Sequence, residues 1–255
     1  MVKKWTREET IIAFNVYCKI PFKDSSKTHP TIVKYAKIIG RTPSALNMKV
    51  GNLGRLDPKL KEMGIVGLGH GAKMEEEIWS EFYENPDKLA YESEYLIAQF
   101  AKKNNIEEVT NIDVCDLPEG KECLDVIKQR VNQSFFRSAV ICSYNFKCCI
   151  SGMGNSELLE ACHIVDWSED ENNRCNPENG LCLNPLFHKA YDKHLIGITP
   201  DYQVIISDEM IEKTEDESSK HYLIRLQNKK LFLPDRFYPK PDFLDFHYQK
   251  FLKSR

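Results

Sequence analysis

The sequence predicts an α+β protein in which a mostly helical N-terminal region is followed by a small domain of two short strands and one helix. Capped segments with apolar side chains at helical spacing occupy the chain up to about residue 144 and predict the helical region. After that point, residues 156–164 include a short apolar strand, Asn179-Gly180 marks a turn between it and a second short strand, and a proline at 185 begins a stretch with helical spacing. This order predicts strand, strand and helix packed together.

Charge is distributed unevenly, although the formal net charge of the 255 residues is only −3. Residues 1–73 hold 14 Lys and Arg against 5 Asp and Glu, residues 74–130 hold 6 against 15, and residues 131–255 hold 15 against 18. We expect three parts with these boundaries. A basic first part suits contact with nucleic-acid phosphates. The alternative is a solvated basic face that pairs with the acidic middle part.

The composition also bears on compartment and on thiol chemistry. No run of about 18 apolar residues is present, so we expect no membrane-spanning segment. The first residues lack the apolar stretch of an export signal, and we expect a cytoplasmic protein with reduced thiols. We expect most of the nine cysteines to be small buried side chains. Without a Cys-x-x-Cys pair, a structural zinc site is the less favoured interpretation of five of them, Cys148, Cys149, Cys162, Cys175 and Cys182.

Three short helices are expected in the basic part. Thr6 and Glu9 have the spacing of a capping box, which predicts that a helix begins there. Prolines at first-turn positions and a capping threonine mark the other two helices. The predicted helices cover residues 7–19, 30–40 and 43–53.

The second and third of these helices, joined by a short turn, have the layout of a helix-turn-helix. We expect the third helix to direct Ser44, Asn47 and Lys49 outward, with Arg41 and Arg55 at its flanks. These five residues are the predicted DNA-binding residues, because such side chains can bind phosphates and base edges. Many three-helix units bind no DNA, and the local positive charge is what favours this interpretation.

The middle of the chain predicts further helices separated by breaks. Residues 57–73 are glycine-rich and predict a loop. The expected pattern after it is an acidic helical stretch over 74–104 interrupted at Asn85-Pro86, a linker over 104–119 and a helix over 121–144.

The residues with clear chemical meaning lie between 148 and 199. His163 ends the first apolar segment, and Asn179-Gly180 predicts a hairpin-type turn before the second. His188 and Asp192 are one helical turn apart, so they lie on one face and can share a divalent ion. A neutral histidine can take a proton from water, an amide can hold a nearby backbone or imidazole in place, and a metal ion can stabilise charge on a phosphate. The pattern therefore suits phosphodiester hydrolysis.

Three motifs in this stretch resemble those of the HNH, or ββα-metal, endonuclease family. They are Glu-Ala-Cys-His-Ile at 160–164, Asn-Pro-Glu-Asn-Gly-Leu-Cys-Leu at 176–183, and the stretch from His188 to Ile196. The resemblance implies that His163 is the general base, that Asn179 positions it and that His188 binds the metal. It places the nuclease domain within 131–255, with its core at 148–199. It is closest to the bacterial restriction-type branch, which implies restriction or defence against foreign DNA.

The sequence departs from many family members at Cys162, where they have an acidic metal ligand before the base histidine. Asp192 is then the first candidate for the second ligand, followed by Cys162 and Glu160. Carboxylate ligation suits Mg²⁺ or Mn²⁺, whereas a thiolate would favour a softer ion such as Zn²⁺, and Ni²⁺ is a further alternative.

The expected partner is double-stranded DNA. A homodimer would suit a site that cuts one strand at a time. The rival interpretation is a DNA-binding regulator whose nuclease-like domain is inactive.

Overall fold

The computed structural model describes residues 4–65, 71–106 and 121–254, and it describes the backbone alone for 121–128. The chain divides into two units, Met1–Cys142 and Ser143–Arg255. Most of the predicted linker, from residue 107 onward, and residues 66–70 of the predicted glycine-rich loop lie outside the described residues. The α+β class with a helical N-terminal half is confirmed.

The described part of the first unit is helical. Its helices are α1 Arg7–Cys18, α2 Pro30–Ile39, α3 Pro43–Gly54, α4 Pro58–Glu62, α5 Lys73–Phe82, α6 Pro86–Lys103 and α7 Lys121–Ser143, the last of which ends at the start of the second unit.

Local capping chemistry explains where these helices begin and end. Thr6 and Glu9 form the predicted capping box at α1. Gly40 ends α2 with a φ of 66°, a left-handed conformation that glycine adopts without a steric penalty. Helix α4 was not predicted, because its residues lie in the glycine-rich stretch. Asp57 caps it by accepting from the Lys59 amide at 2.8 Å, and Pro58 occupies its first position.

Helix α1 forms the centre of the first unit. From Glu9 to Cys18 every residue of α1 is buried, and it packs against α2, α3, α5 and α6. Phe14 stacks on Trp79 of α5 with 4.8 Å between ring centroids. Such aromatic burial supplies much of the driving force for folding a helical unit of this size.

The second unit holds two small antiparallel sheets among short helices. Its elements are β1 Glu160–His163, β2 Gly180–Leu183, α8 Pro185–Asp192, β3 Ile196–Ile198, β4 Val204–Ile206, α9 Asp208–Glu212, α10 Glu217–Leu226 and α11 Pro241–Lys253. Strand β1 pairs with β2, and β3 pairs with β4. Gly197 of β3 lies so close to α11 that an added Cβ would be 2.5 Å from the Phe251 ring, and this contact requires glycine.

The hairpin-type turn predicted at Asn179-Gly180 is wrong. Gly180 is already paired with His163 across the sheet, and its φ of −130° is that of a strand residue. A two-residue hairpin turn of the predicted kind would need a positive φ there. The connection between β1 and β2 is instead the long segment 164–179, which ends in a 3₁₀ turn at Pro177–Asn179.

Among the described residues, no helix combines the length and apolar character needed to cross a membrane.

Candidate active site and metal centre

Strands β1 and β2 and helix α8 bring the three motif residues onto one small scaffold. His163 is the last residue of β1, Asn179 immediately precedes β2, and His188 lies in the middle of α8. Helix α8 begins at Pro185, and Asn184 caps it by accepting from the Phe187 amide at 2.9 Å. Helix α8 packs on both strands, so the positions of these residues are set by a single local core.

The imidazole of His163 is held by the backbone of the connecting segment. Its Nε2 lies 2.9 Å from the carbonyl oxygen of Arg174. A carbonyl oxygen can only accept, so Nε2 carries the proton in this bond. In the neutral ring the lone pair is then on Nδ1, which is the nitrogen able to take a proton from water.

Two neighbouring side chains complete the support of His163. The Trp167 ring meets the His163 ring edge-on, with 5.7 Å between centroids. The Arg174 guanidinium lies 5.0 Å from the Trp167 ring centre, and its Nε donates to the Trp167 carbonyl oxygen at 2.8 Å. The contacts between Trp167 and Arg174 hold together the part of the chain that carries the Arg174 carbonyl, which binds His163. Neither residue was predicted, because neither occurs in a recognisable motif.

Asn179 acts on the backbone rather than on the imidazole. Its side chain is almost fully buried; Oδ1 accepts from the Val165 amide at 2.8 Å, and Nδ2 donates to the Val165 and Asn173 carbonyl oxygens at 3.1 and 3.3 Å. Its own carbonyl accepts from the Ile164 amide at 2.9 Å. Asn179 therefore holds the two residues that follow His163.

His188 lies between two carboxylates. Its Nδ1 is 2.5 Å from Glu160 Oε2, and its Nε2 is 3.7 Å from Asp192 Oδ2. When Nδ1 donates to Glu160, the lone pair of the neutral ring points from Nε2 toward Asp192. Metal-binding histidines are commonly oriented by a carboxylate in this way. Glu160, the third candidate ligand, thus contacts the ring nitrogen that faces away from Asp192.

Cys162 joins His188 and Asp192 on the side of β1 that faces α8. The side chain is buried, with 1% of its surface exposed, and Sγ is 3.8 Å from Asp192 Oδ1. Burial, followed by the Asp192 carboxylate, raises the pKa of the Cys162 thiol well above its ordinary value.

Cys162, His188 and Asp192 each offer one donor atom, and the three atoms lie within 4.8 Å of one another. Thiol, imidazole and carboxylate donors together fit a divalent metal ion. Among the side chains described, those of 4–65, 71–106 and 129–254, no other group of His, Cys, Asp and Glu meets this spacing. The remaining four cysteines considered for a structural zinc site are not part of such a group.

Comparison with protein families agrees with this geometry. Residues 148–199 match the family model described as HNH endonuclease. The match contains β1, β2, α8 and β3, and so includes His163, Asn179 and His188. The match supports an HNH endonuclease domain in the second unit. No curated protein matches the chain.

The HNH match does not include the five predicted DNA-binding residues, which lie in the first unit. The outward direction expected for Lys49 is wrong, since its ammonium is buried and lies 2.5 Å from Glu75 Oε1. Arg41 and Arg55 are also in ion pairs: Arg41 lies 2.6 Å from Glu9, and Arg55 lies 3.0 Å from Glu76.

Ser44 and Asn47 are the more accessible members of that set. Ser44 is exposed, whereas Asn47 is half-buried and accepts from the Ser25 hydroxyl at 2.8 Å. Lys49 is turned inward because Glu75 has no exposed surface, and a buried carboxylate requires a cation or hydrogen-bond donors. Asn52 also donates to Glu75, at 3.1 Å.

Proposed function

We propose that this protein is a metal-dependent DNA endonuclease that hydrolyses phosphodiester bonds with His163 as general base. The observation that carries the proposal is the HNH match over 148–199, in which His163, Asn179 and His188 occupy one strand–strand–helix scaffold beside a cluster of metal-ligating side chains. Donors for a divalent ion and a histidine with a fixed tautomer are the two components that hydrolysis by water requires.

The residues have distinct tasks in this reaction. His163 Nδ1 takes the proton of the attacking water, while the Arg174 carbonyl keeps the opposite nitrogen protonated. Asn179 keeps the backbone after His163 in place. His188 and Asp192 would hold the ion, with Glu160 orienting His188. A divalent ion supplies charge stabilisation at the phosphate and at the leaving oxygen.

Mg²⁺ or Mn²⁺ is the ion expected from a carboxylate and an imidazole, with Zn²⁺ and Ni²⁺ as alternatives. Double-stranded DNA is the proposed substrate. Restriction of foreign DNA in the cytoplasm is the proposed role, and a homodimer would allow both strands to be cut. The basic 1–73 region remains our proposed DNA-binding region through its overall charge, with 74–130 and 131–255 as the other two parts.

Cleavage of plasmid DNA tests the proposal. Wild-type protein and a His163→Ala variant are incubated with unmodified, methylated and hydroxymethylated plasmid in the presence of Mg²⁺, Mn²⁺, Zn²⁺ or Ni²⁺. We expect nicking or linearisation by the wild type only. If the plasmid stays intact with both proteins, on every DNA and with every ion, the endonuclease proposal is rejected. A DNA-binding regulator with an inactive nuclease-like domain is then favoured.

A further inference from the structure

The cluster beside His188 contains a sulfur donor, which sets it apart from a site built of carboxylate and imidazole alone. Cys162 Sγ is 3.8 Å from Asp192 Oδ1, and His188 Nε2 is 3.7 Å from Asp192 Oδ2. All three residues belong to the core that β1 and α8 form, so the sulfur has a fixed position relative to the other two donors.

We propose that Cys162 is a direct thiolate ligand of the metal centre and that it gives the centre a preference for Zn²⁺ or Co²⁺ over Mg²⁺. The inference rests on the proposed function in one respect: the ion bound by Cys162 is the ion that we propose for DNA cleavage. On binding, the S–H bond of Cys162 breaks, a sulfur–metal bond forms and the proton leaves to solvent.

The distances suit a tetrahedral ion. Zinc bonds measure roughly 2.3 Å to sulfur, 2.0–2.1 Å to imidazole nitrogen and 2.0–2.2 Å to carboxylate oxygen. At tetrahedral angles these bonds separate the donor atoms by about 3.4–3.6 Å. In the structure His188 Nε2 and Cys162 Sγ lie 3.7 and 3.8 Å from different oxygens of Asp192. The three donor atoms of the cluster lie within 4.8 Å of one another, so metal binding draws them together by at most about 1.4 Å. The three protein donors leave a fourth position for water or a phosphate oxygen.

Strand β1 also gives the reason why Cys162, and not Glu160, is the added ligand. Side chains alternate along a strand, so Glu160 and Cys162 both face α8. Glu160 contacts His188 Nδ1, which is the nitrogen away from Asp192, whereas Cys162 contacts Asp192 itself. Glu160 therefore orients the ligand His188, whereas Cys162 provides a donor atom.

Cobalt spectroscopy of the full-length protein tests the inference without depending on cleavage. Co²⁺ bound by a thiolate gives a sulfur-to-metal charge-transfer band in the near ultraviolet, which oxygen and nitrogen ligands do not give. We compare the wild type with Cys162→Ser and with the matched control Cys182→Ser. Cys182 is equally buried and lies on the paired strand opposite Ala161, outside the cluster.

We expect the band in the wild type and in Cys182→Ser, and its loss in Cys162→Ser. Competition titrations should show Zn²⁺ affinity reduced roughly tenfold or more in Cys162→Ser, because loss of residues that only orient ligands already costs about 10–100-fold. Circular dichroism verifies that each variant is folded, and Cys162→Ala replaces the serine variant if that one unfolds. A wild type that binds Co²⁺ without the band, or a band that survives in both Cys162 variants, would overturn the inference.

The result is separable from the proposed function. A charge-transfer band without DNA cleavage under any ion retains the thiolate ligand and rejects the nuclease. Cleavage by the wild type without a band in its Co²⁺ form retains the nuclease and rejects the thiolate ligand.

Discussion

The carbonyl oxygen of Arg174 lies 2.9 Å from His163 Nε2, so a backbone group eleven residues away determines which nitrogen of the imidazole can accept a proton. This bond links the strand that carries His163 to the far end of the segment 164–179. The segment is therefore part of the catalytic apparatus that we propose, and not only a connection between two strands.

Replacing His163 with alanine removes the proton acceptor. We expect the cleavage rate to fall by about 10²–10⁴-fold, the usual contribution of general-base catalysis, while the fold is retained. Single-turnover cleavage under saturating protein measures the rate. His221→Ala is the control, because His221 is exposed and lies outside the HNH match. An undiminished rate in the His163 variant would remove this histidine from the mechanism.

Removing the Arg174 side chain should impair His163 indirectly. Arg174→Ala loses the hydrogen bond to the Trp167 carbonyl and the contact with the Trp167 ring, so the carbonyl that holds His163 is less well placed. We expect a lower kcat with little change in KM, together with altered ¹⁵N shifts of the His163 ring nitrogens. Arg225→Ala, at an exposed position of α10, serves for comparison. If the ¹⁵N shifts of the His163 ring and kcat are both unchanged, the contact between Arg174 and Trp167 has no role in catalysis.

Asn179 is expected to be a stability residue as well as a positioning residue. Asn179→Ala leaves the Val165 amide and carbonyl without their side-chain partners in a buried place. Each stranded group costs about 1–3 kcal/mol, so the free energy of unfolding of the second unit should fall by a few kcal/mol. Urea denaturation of a Trp5→Phe, Trp79→Phe background, in which Trp167 is the one remaining tryptophan, measures this by fluorescence. Asn179→Asp keeps the acceptor but turns a carboxylate oxygen toward the Val165 and Asn173 carbonyl oxygens in a buried place, and at neutral pH it should be at least as destabilising as alanine.

The pH dependence of stability should report on His247. Its ring stacks on Tyr191 at 3.6 Å, and burial, then the neighbouring His194, lowers its pKa from 6.5 to about 3. Between these values the unfolded chain binds a proton that the folded chain does not. Stability from this group is therefore complete above pH 6.5 and is lost as pH falls toward 3, by about 1.4 kcal/mol per pH unit.

His247→Phe tests this, because a phenyl ring can keep the stacking on Tyr191 but cannot take a proton. Urea denaturation at several pH values between 4.5 and 7 should show a shallower decline in the variant than in the wild type. His221→Gln controls for an exposed histidine. Parallel declines in His247→Phe and wild type would show that His247 is not the group responsible.

The buried pair of Lys49 and Glu75 predicts a stability effect where the sequence predicted a DNA contact. Glu75→Ala strands a buried ammonium and should lower the unfolding free energy by about 3–5 kcal/mol. Lys49→Met should cost less, since Asn52 and Arg55 still face the carboxylate. Ser44→Ala, at an exposed position, should leave the melting temperature unchanged. A Lys49→Met protein of wild-type stability that binds DNA more weakly would instead restore the outward interpretation.

Helices α1, α2 and α3 were predictable because their signals are local. Thr6 with Glu9, the prolines and Gly40 act within one turn of the chain, so the sequence alone places these ends within a residue or so. The direction of Lys49 was not predictable, because it depends on Glu75, 26 residues further along the chain.

In the site, too, the features set by neighbouring residues were predictable and those set by distant residues were not. His188 and Asp192 were placed together correctly, since four residues make one helical turn. The turn at Asn179-Gly180 was predicted wrongly, because the dipeptide has the composition of a hairpin while its asparagine is committed to the backbone of Val165. The Arg174 carbonyl carries no sequence signal at all, since every residue has one.

The pairing of β1 with β2 limits which insertions and deletions the protein can tolerate in evolution. Cys162 and His163 are consecutive residues, so one turns to α8 and the next turns to the other face. Inserting or deleting a single residue within β1 would exchange the faces on which Cys162 and His163 lie. One such event would abolish both proton acceptance and metal binding. A change in length between Trp167 and Arg174 would act more narrowly, because it displaces the carbonyl that fixes the His163 tautomer and leaves the pairing of β1 with β2 unaltered.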